Sequence, residues 1–87
     1  MTLEENVLVQ LATLRVKLSK NVIAIDRDKS RQASMEARLQ RNRHLKRDAG
    51  FMSRLAQVRE LLRDAKQQQT DIQQQINNLE ETTNDEQ

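Results

Sequence analysis

From Phe51 to Leu79, residues recur at alternating spacings of four and three: Phe51, Leu55, Val58, Leu62, Ala65, Gln69, Ile72, Ile76 and Leu79. Eight of these nine positions are apolar. Such a series lies on one side of a helix and reads as the a/d seam of a coiled coil. A helix carrying it must pair with another helix, and the rest of the chain offers one. Val7, Leu11, Leu14, Leu18, Asn21, Ile25, Asp28, Gln32, Met35, Leu39, Asn42, Lys46 and Ala49 keep one heptad register, and eight of these thirteen are apolar. The polar members are Asn21, Asp28, Gln32, Asn42 and Lys46, and between residues 26 and 34 only Ala33 is apolar.

The two series differ in phase, because Ala49 and Phe51 both fall at d although only Gly50 separates them. A glycine can end a helix in the left-handed conformation, with an apolar residue next to it closing the cap. The sequence therefore predicts an all-α, elongated antiparallel helical hairpin. Helix 1 spans about 3–48, the bend falls at 49–51 with Gly50 at positive φ, and helix 2 spans about 52–82. Ser53 is the expected N-cap of helix 2, with Asp48 as the alternative. The hairpin forms a single unit over 1–82, and 83–87 is an acidic tail expected to fray. Two other readings are a break within the polar stretch 26–34 and strands over residues 7–18. The second lacks any turn residue between its runs.

Composition narrows the choice further. There is no proline and one glycine, too few turn-formers for a sandwich or barrel of this length. There is no cysteine and one histidine, His44, so the usual thiolate or multi-histidine metal ligands are missing. No nucleophile sits with a base, and no glycine-rich loop is available for phosphate. The expectation is a non-enzyme with no cofactor and no metal. The acidic start and the lack of a long apolar run predict no signal peptide, no membrane span and a cytoplasmic protein, or a nuclear one if the source has a nucleus.

Reflecting the chain about residue 49 sets Ile76 opposite Val22, Ile72 near Ile25, Leu62 opposite Met35 and Val58 near Leu39. The polar stretch 26–34 then meets 64–72. On that register residues 3–15 project past the end of helix 2. They belong to the most apolar part of the chain, and Val9, Val16 and Ile23 form a further column at heptad position f, with Leu8 and Val22 at e. One partner helix cannot cover two faces. Val7, Leu8, Val9, Leu11, Leu14, Val16, Leu18, Val22, Ile23 and Ile25 are thus the candidate association residues. The core would be completed by further helices, from a homo-oligomer or a helical partner protein.

Charge is uneven along the chain. Residues 21–66 carry twelve basic and six acidic groups, while 67–87 carry five acidic and no basic ones. Arg38, Arg41, Arg43, Lys46 and Arg47 are candidate phosphate contacts. No aromatic residue is interleaved among them, and the same cations complement a helix C-terminus. The function expected is a non-catalytic interaction module: a coiled-coil scaffold, adaptor or assembly subunit. The alternative is a small dimeric nucleic-acid-binding regulator using the basic segment 38–66. Gln69, at an a position, reads as a weakly packed layer in a Gln-rich helix. Binding to a membrane surface is not expected, since basic and apolar residues separate along the chain rather than across one helix.

Overall fold

The computed structural model describes residues 2–85, with side chains described through residue 82. Two long helices, α1 (Leu3–Arg41) and α2 (Ala49–Asp85), lie antiparallel and are joined by a short 3-10 turn over Arg43–Arg47. The molecule is a rod of 62 × 17 × 16 Å. Among the described residues there is no strand, and no helix is long and apolar enough to cross a membrane. The polar stretch 26–34 neither breaks nor interrupts α1.

α1 starts on a reciprocal cap. The Thr2 hydroxyl accepts from the Glu5 amide at 3.2 Å, and the Glu5 carboxylate accepts from the Thr2 amide at 3.4 Å. Two amide donors that a helix start leaves open are thereby satisfied. Its other end is set by Asn42, whose extended backbone (φ −134°, ψ 92°) leaves the helix. The Asn42 Oδ1 accepts from the His44 amide at 3.1 Å, and its carbonyl accepts from Leu45 at 3.1 Å. Asp48 starts α2: its Oδ1 accepts from the Phe51 amide at 3.1 Å. Short polar side chains compete with helical hydrogen bonds and so bring the chain round.

The bend therefore lies at residues 42–48 and not at 49–51. Helix 1 ends at Arg41 rather than near 48, and helix 2 starts at Ala49 rather than 52. Asp48, not Ser53, is the cap. Gly50 sits in the first turn of α2, and no described residue, glycine included, has positive φ. A Cβ at Gly50 would meet only the Asp48 Oδ1, at an ordinary 3.4 Å. Gly50→Ala should therefore stabilise the hairpin by roughly 0.5–1 kcal/mol, because alanine removes backbone freedom from the unfolded chain without a clash. A lowered thermal midpoint would show that this account of the turn is wrong. At the far end α2 continues to Asp85, so Thr83–Asp85 belong to the helix and not to a frayed tail. Residues 86 and 87 lie outside the described residues.

Moving the bend moves the register. The chain folds back about Leu45, so Leu14 meets Ile76, with Val7 and Leu11 in the same cluster and Leu18, Ile72 and Leu79 packed on it. Ile76 thus does not face Val22, and the expected overhang of residues 3–15 shrinks to about residues 3 and 4, because α2 runs on to Asp85. The polar positions Asp28 and Gln32 come level with Leu62 and Val58, not with another polar segment. The face assignment itself holds except for Asn42, Lys46 and Ala49 at the turn, which are exposed. Every first-series position from Val7 to Leu39 is buried or half-buried, and so is every second-series position from Phe51 to Leu79. Phe51 and Leu55 are the largest fully buried side chains.

Candidate functional site

The hairpin's own seam uses one face of α1. Val7, Leu11, Leu14 and Ile25 are buried in it and Leu18 is half-buried, so these five of the ten candidate association residues already have their neighbour within the chain. The other five remain in solvent: Leu8 is 58% exposed, Val9 54%, Val16 55%, Val22 38% and Ile23 67%. Val9, Val16 and Ile23 lie on the side of α1 turned away from α2. Ala12 and Ser19, also exposed, fill the three-four spacing between them, giving a second seam of Val9, Ala12, Val16, Ser19 and Ile23. Leu8 and Val22 widen it on one flank. An apolar line of this kind is left unpartnered on a helix whose opposite face is already packed.

Local hydrogen bonding keeps this face apolar. The Ser19 hydroxyl donates to the Arg15 carbonyl at 3.1 Å, and the Thr13 hydroxyl donates to the Val9 carbonyl at 3.0 Å. Both hydroxyls are turned back on their own helix and need no outside partner. On the Thr13 flank the seam runs into a groove between the helices, lined by Val9, Thr13, Leu14 and Lys17 from α1 and by Gln75 and Leu79 from α2.

The two sides of the hairpin differ in charge. One carries inter-helix ion pairs, Arg15 with Glu80 at 3.3 Å and Arg59 with Glu36 at 3.0 Å. These side chains are half exposed, so each pair contributes little stability, though together they favour one alignment. A hydrogen bond from Gln32 and then the Arg59 guanidinium hold the Glu36 carboxyl below its ordinary range. Its small stabilising effect is therefore complete above that range and is lost as pH falls through the lowered value. On the other side a groove gathers Arg31, Arg38 and Arg54 around Met35, Phe51 and Leu61. Leu61, 54% exposed, lies outside both heptad series; its only sequence signal is that it doubles Leu62.

The five basic residues named from the sequence end up at the turn end of the rod but not on one surface. The Arg38 guanidinium lies 5.7 Å from the Phe51 ring centroid, a cation–π contact. The Arg41 Nε turns back to the Ala37 carbonyl at 3.4 Å. Arg43, Lys46 and Arg47 belong to the 3-10 turn and are exposed.

One core layer is polar in a way periodicity alone does not show. Asn21 is buried, its Nδ2 donates to the Ala65 carbonyl at 3.0 Å, and its Oδ1 has no hydrogen-bond partner. A buried acceptor left open costs about 1–3 kcal/mol. Asn21→Leu should accordingly raise stability by roughly 1–2 kcal/mol while weakening register specificity, since a buried polar residue disfavours misaligned pairings. Chemical denaturation checks the first effect and the number of species in solution the second. A loss of stability would show that the Asn21–Ala65 bond outweighs the orphaned oxygen.

Comparison with protein-family models, curated proteins and solved structures gives no match to this chain.

Proposed function

We propose that this chain is a non-catalytic protein–protein interaction module, a coiled-coil scaffold, adaptor or assembly subunit, working in the cytoplasm or nucleus through the outward face of α1. One observation carries this reading: Val9, Val16 and Ile23 stand in solvent along one line of a helix whose opposite face is already closed by α2, with Leu8 and Val22 exposed on its flank. Each such side chain contributes about 1.5–3 kcal/mol when taken fully from water, so leaving all of them wet is unfavourable beside burying them under another helix. The seam, apolar along Val9, Val16 and Ile23 with Lys20 beside it and charges at its ends, suits an amphipathic helix as partner.

The test is association of the native chain and of a Val16→Glu, Ile23→Glu double variant, with itself by sedimentation and with partners captured from extracts of its source. The variant should bind at least about a hundredfold more weakly, because two charges then stand at the centre of the contact. A native chain that neither self-associates nor captures anything the variant loses would overturn the reading. The second reading, a nucleic-acid-binding regulator, draws on the basic residues that the turn gathers at one end. It requires binding to nucleic acid that falls steeply with salt and is lost when Arg41, Arg43 and Arg47 become Gln.

A further inference from the structure

The outward seam of α1 is nearly its own complement. Val9 and Ile23 stand at equal distance in sequence on either side of Val16, as do the small residues Thr13 and Ser19. A two-fold axis beside Val16 would lay the seam on a copy of itself, Val9 on the partner's Ile23 and Thr13 on the partner's Ser19. Such a contact is isologous and closes on itself.

Charge decides the direction. Glu5 and Arg27 are also equidistant from Val16, at the two ends of the seam and on the same face of α1. Both are exposed. In an antiparallel pair each Glu5 lies beside the partner's Arg27, giving two ion pairs that border the apolar strip. Arg27 has a long contact with Asp28 of its own chain, 3.7 Å, and its side chain is still 66% exposed. Arg15, the cation nearest the axis on the Leu8 flank, brings its own counter-ion in Glu80. A parallel pair would instead set Glu4, Glu5, Glu80 and Glu81 against their own copies. It would also set the basic turn, with Arg41, Arg43, Lys46 and Arg47, against itself. In the antiparallel pair the two turns stand roughly 90 Å apart at the helical rise per residue, far beyond screening distance.

We propose that a second copy of this chain, lying antiparallel with the two-fold axis beside Val16, covers the outward face of α1, so that the two α1 helices pair over about residues 3–29 between their two α2 helices, with a basic turn at each end. This rests on the association reading above and adds the identity and direction of the partner.

The chain has no cysteine, so single cysteines report the geometry cleanly. Val9→Cys and Ile23→Cys chains are oxidised separately and as an equimolar mixture, with Val16→Cys as the control that can link to itself in either direction. The expected result is a dimer by sedimentation, a mixed Val9→Cys/Ile23→Cys disulfide as the main cross-linked product, and little product from either chain alone. Arg27→Glu should weaken the dimer about tenfold, and adding Glu5→Lys should restore most of that loss, since two symmetric contacts change sign and change back. Efficient self-linking of the Val9→Cys chain would overturn the antiparallel arrangement while leaving association through this face intact. A native chain that stays monomeric at every concentration would overturn the second copy, and capture of a foreign helix lost in the Val16→Glu, Ile23→Glu variant would still uphold the module reading. A dimer indifferent to those charges would overturn both.

Discussion

Phe51→Ala is expected to cost about 3–5 kcal/mol, enough to leave much of the chain unfolded at room temperature. Phe51 is 1% exposed and Leu55, one turn on, is fully covered. The ring stands at the first turn of α2, where the Asp48 carboxylate holds its amide and the Arg38 guanidinium lies over its face. Removing it leaves a cavity beside the turn, where α2 first packs on α1, and strands Arg38 without its aromatic partner. Two helices alone bury little apolar surface, so the hairpin has a small reserve from which to absorb such a loss. Urea denaturation followed by circular dichroism, at matched protein concentration, measures the effect. A change below about 1 kcal/mol would place the folding core nearer the open end of the rod.

Leu14→Glu and Val16→Glu should behave as opposites although two residues separate them. Leu14 is 8% exposed and packs with Val7, Leu11 and Ile76. A carboxylate there loses the apolar contact and puts an unpaired charge into the seam, a cost of about 3–5 kcal/mol. Val16 is 55% exposed on the other face, and glutamate is at least as good a helix former as valine. For a dilute, unassociated chain Val16→Glu should change stability by no more than about 0.5 kcal/mol. Thermal melts at low concentration check this pair. Equal losses from both substitutions would mean that Val16 is packed within the single chain.

These contrasts also show what the sequence made legible. The spacing of Val7, Leu11, Leu14 and Leu18, and of Phe51, Leu55, Val58 and Leu62, identified the inner face of each helix, because burial on a helix repeats with the heptad. It did not identify the layers. Moving the reflection from residue 49 to Leu45 slips the pairing by about one heptad, so both put an aliphatic side chain, Val22 or Leu14, opposite Ile76. Turn position decides between them, and the turn was hidden in ordinary residues. Asn42 occupied a d position and read as one more polar member of the series; Asp48 read only as the alternative to Ser53 for the cap of helix 2, near a conspicuous glycine. Their side chains act through backbone amides two and three residues on, which a hydrophobic pattern does not record. The outer seam was legible for the complementary reason. Val9, Val16 and Ile23 share a face with one another and not with Leu14, whichever layer they reach.

The turn between α1 and α2 contains no residue in the left-handed region, so two extended dihedral settings, at Asn42 and Asp48, are what separate it from a single unbroken helix. Joints of that kind invite neighbouring molecules to exchange arms. Here the offset between the two apolar series opposes the exchange. In one straight helix a displacement of two residues turns the second stripe about 200° from the first, almost to the opposite side. Two straightened chains laid side by side could then engage along half their length and would leave the other half facing away from the partner. The closed form is thus protected from domain swapping by the angular mismatch of its arms, with no stiffness required of the link between them.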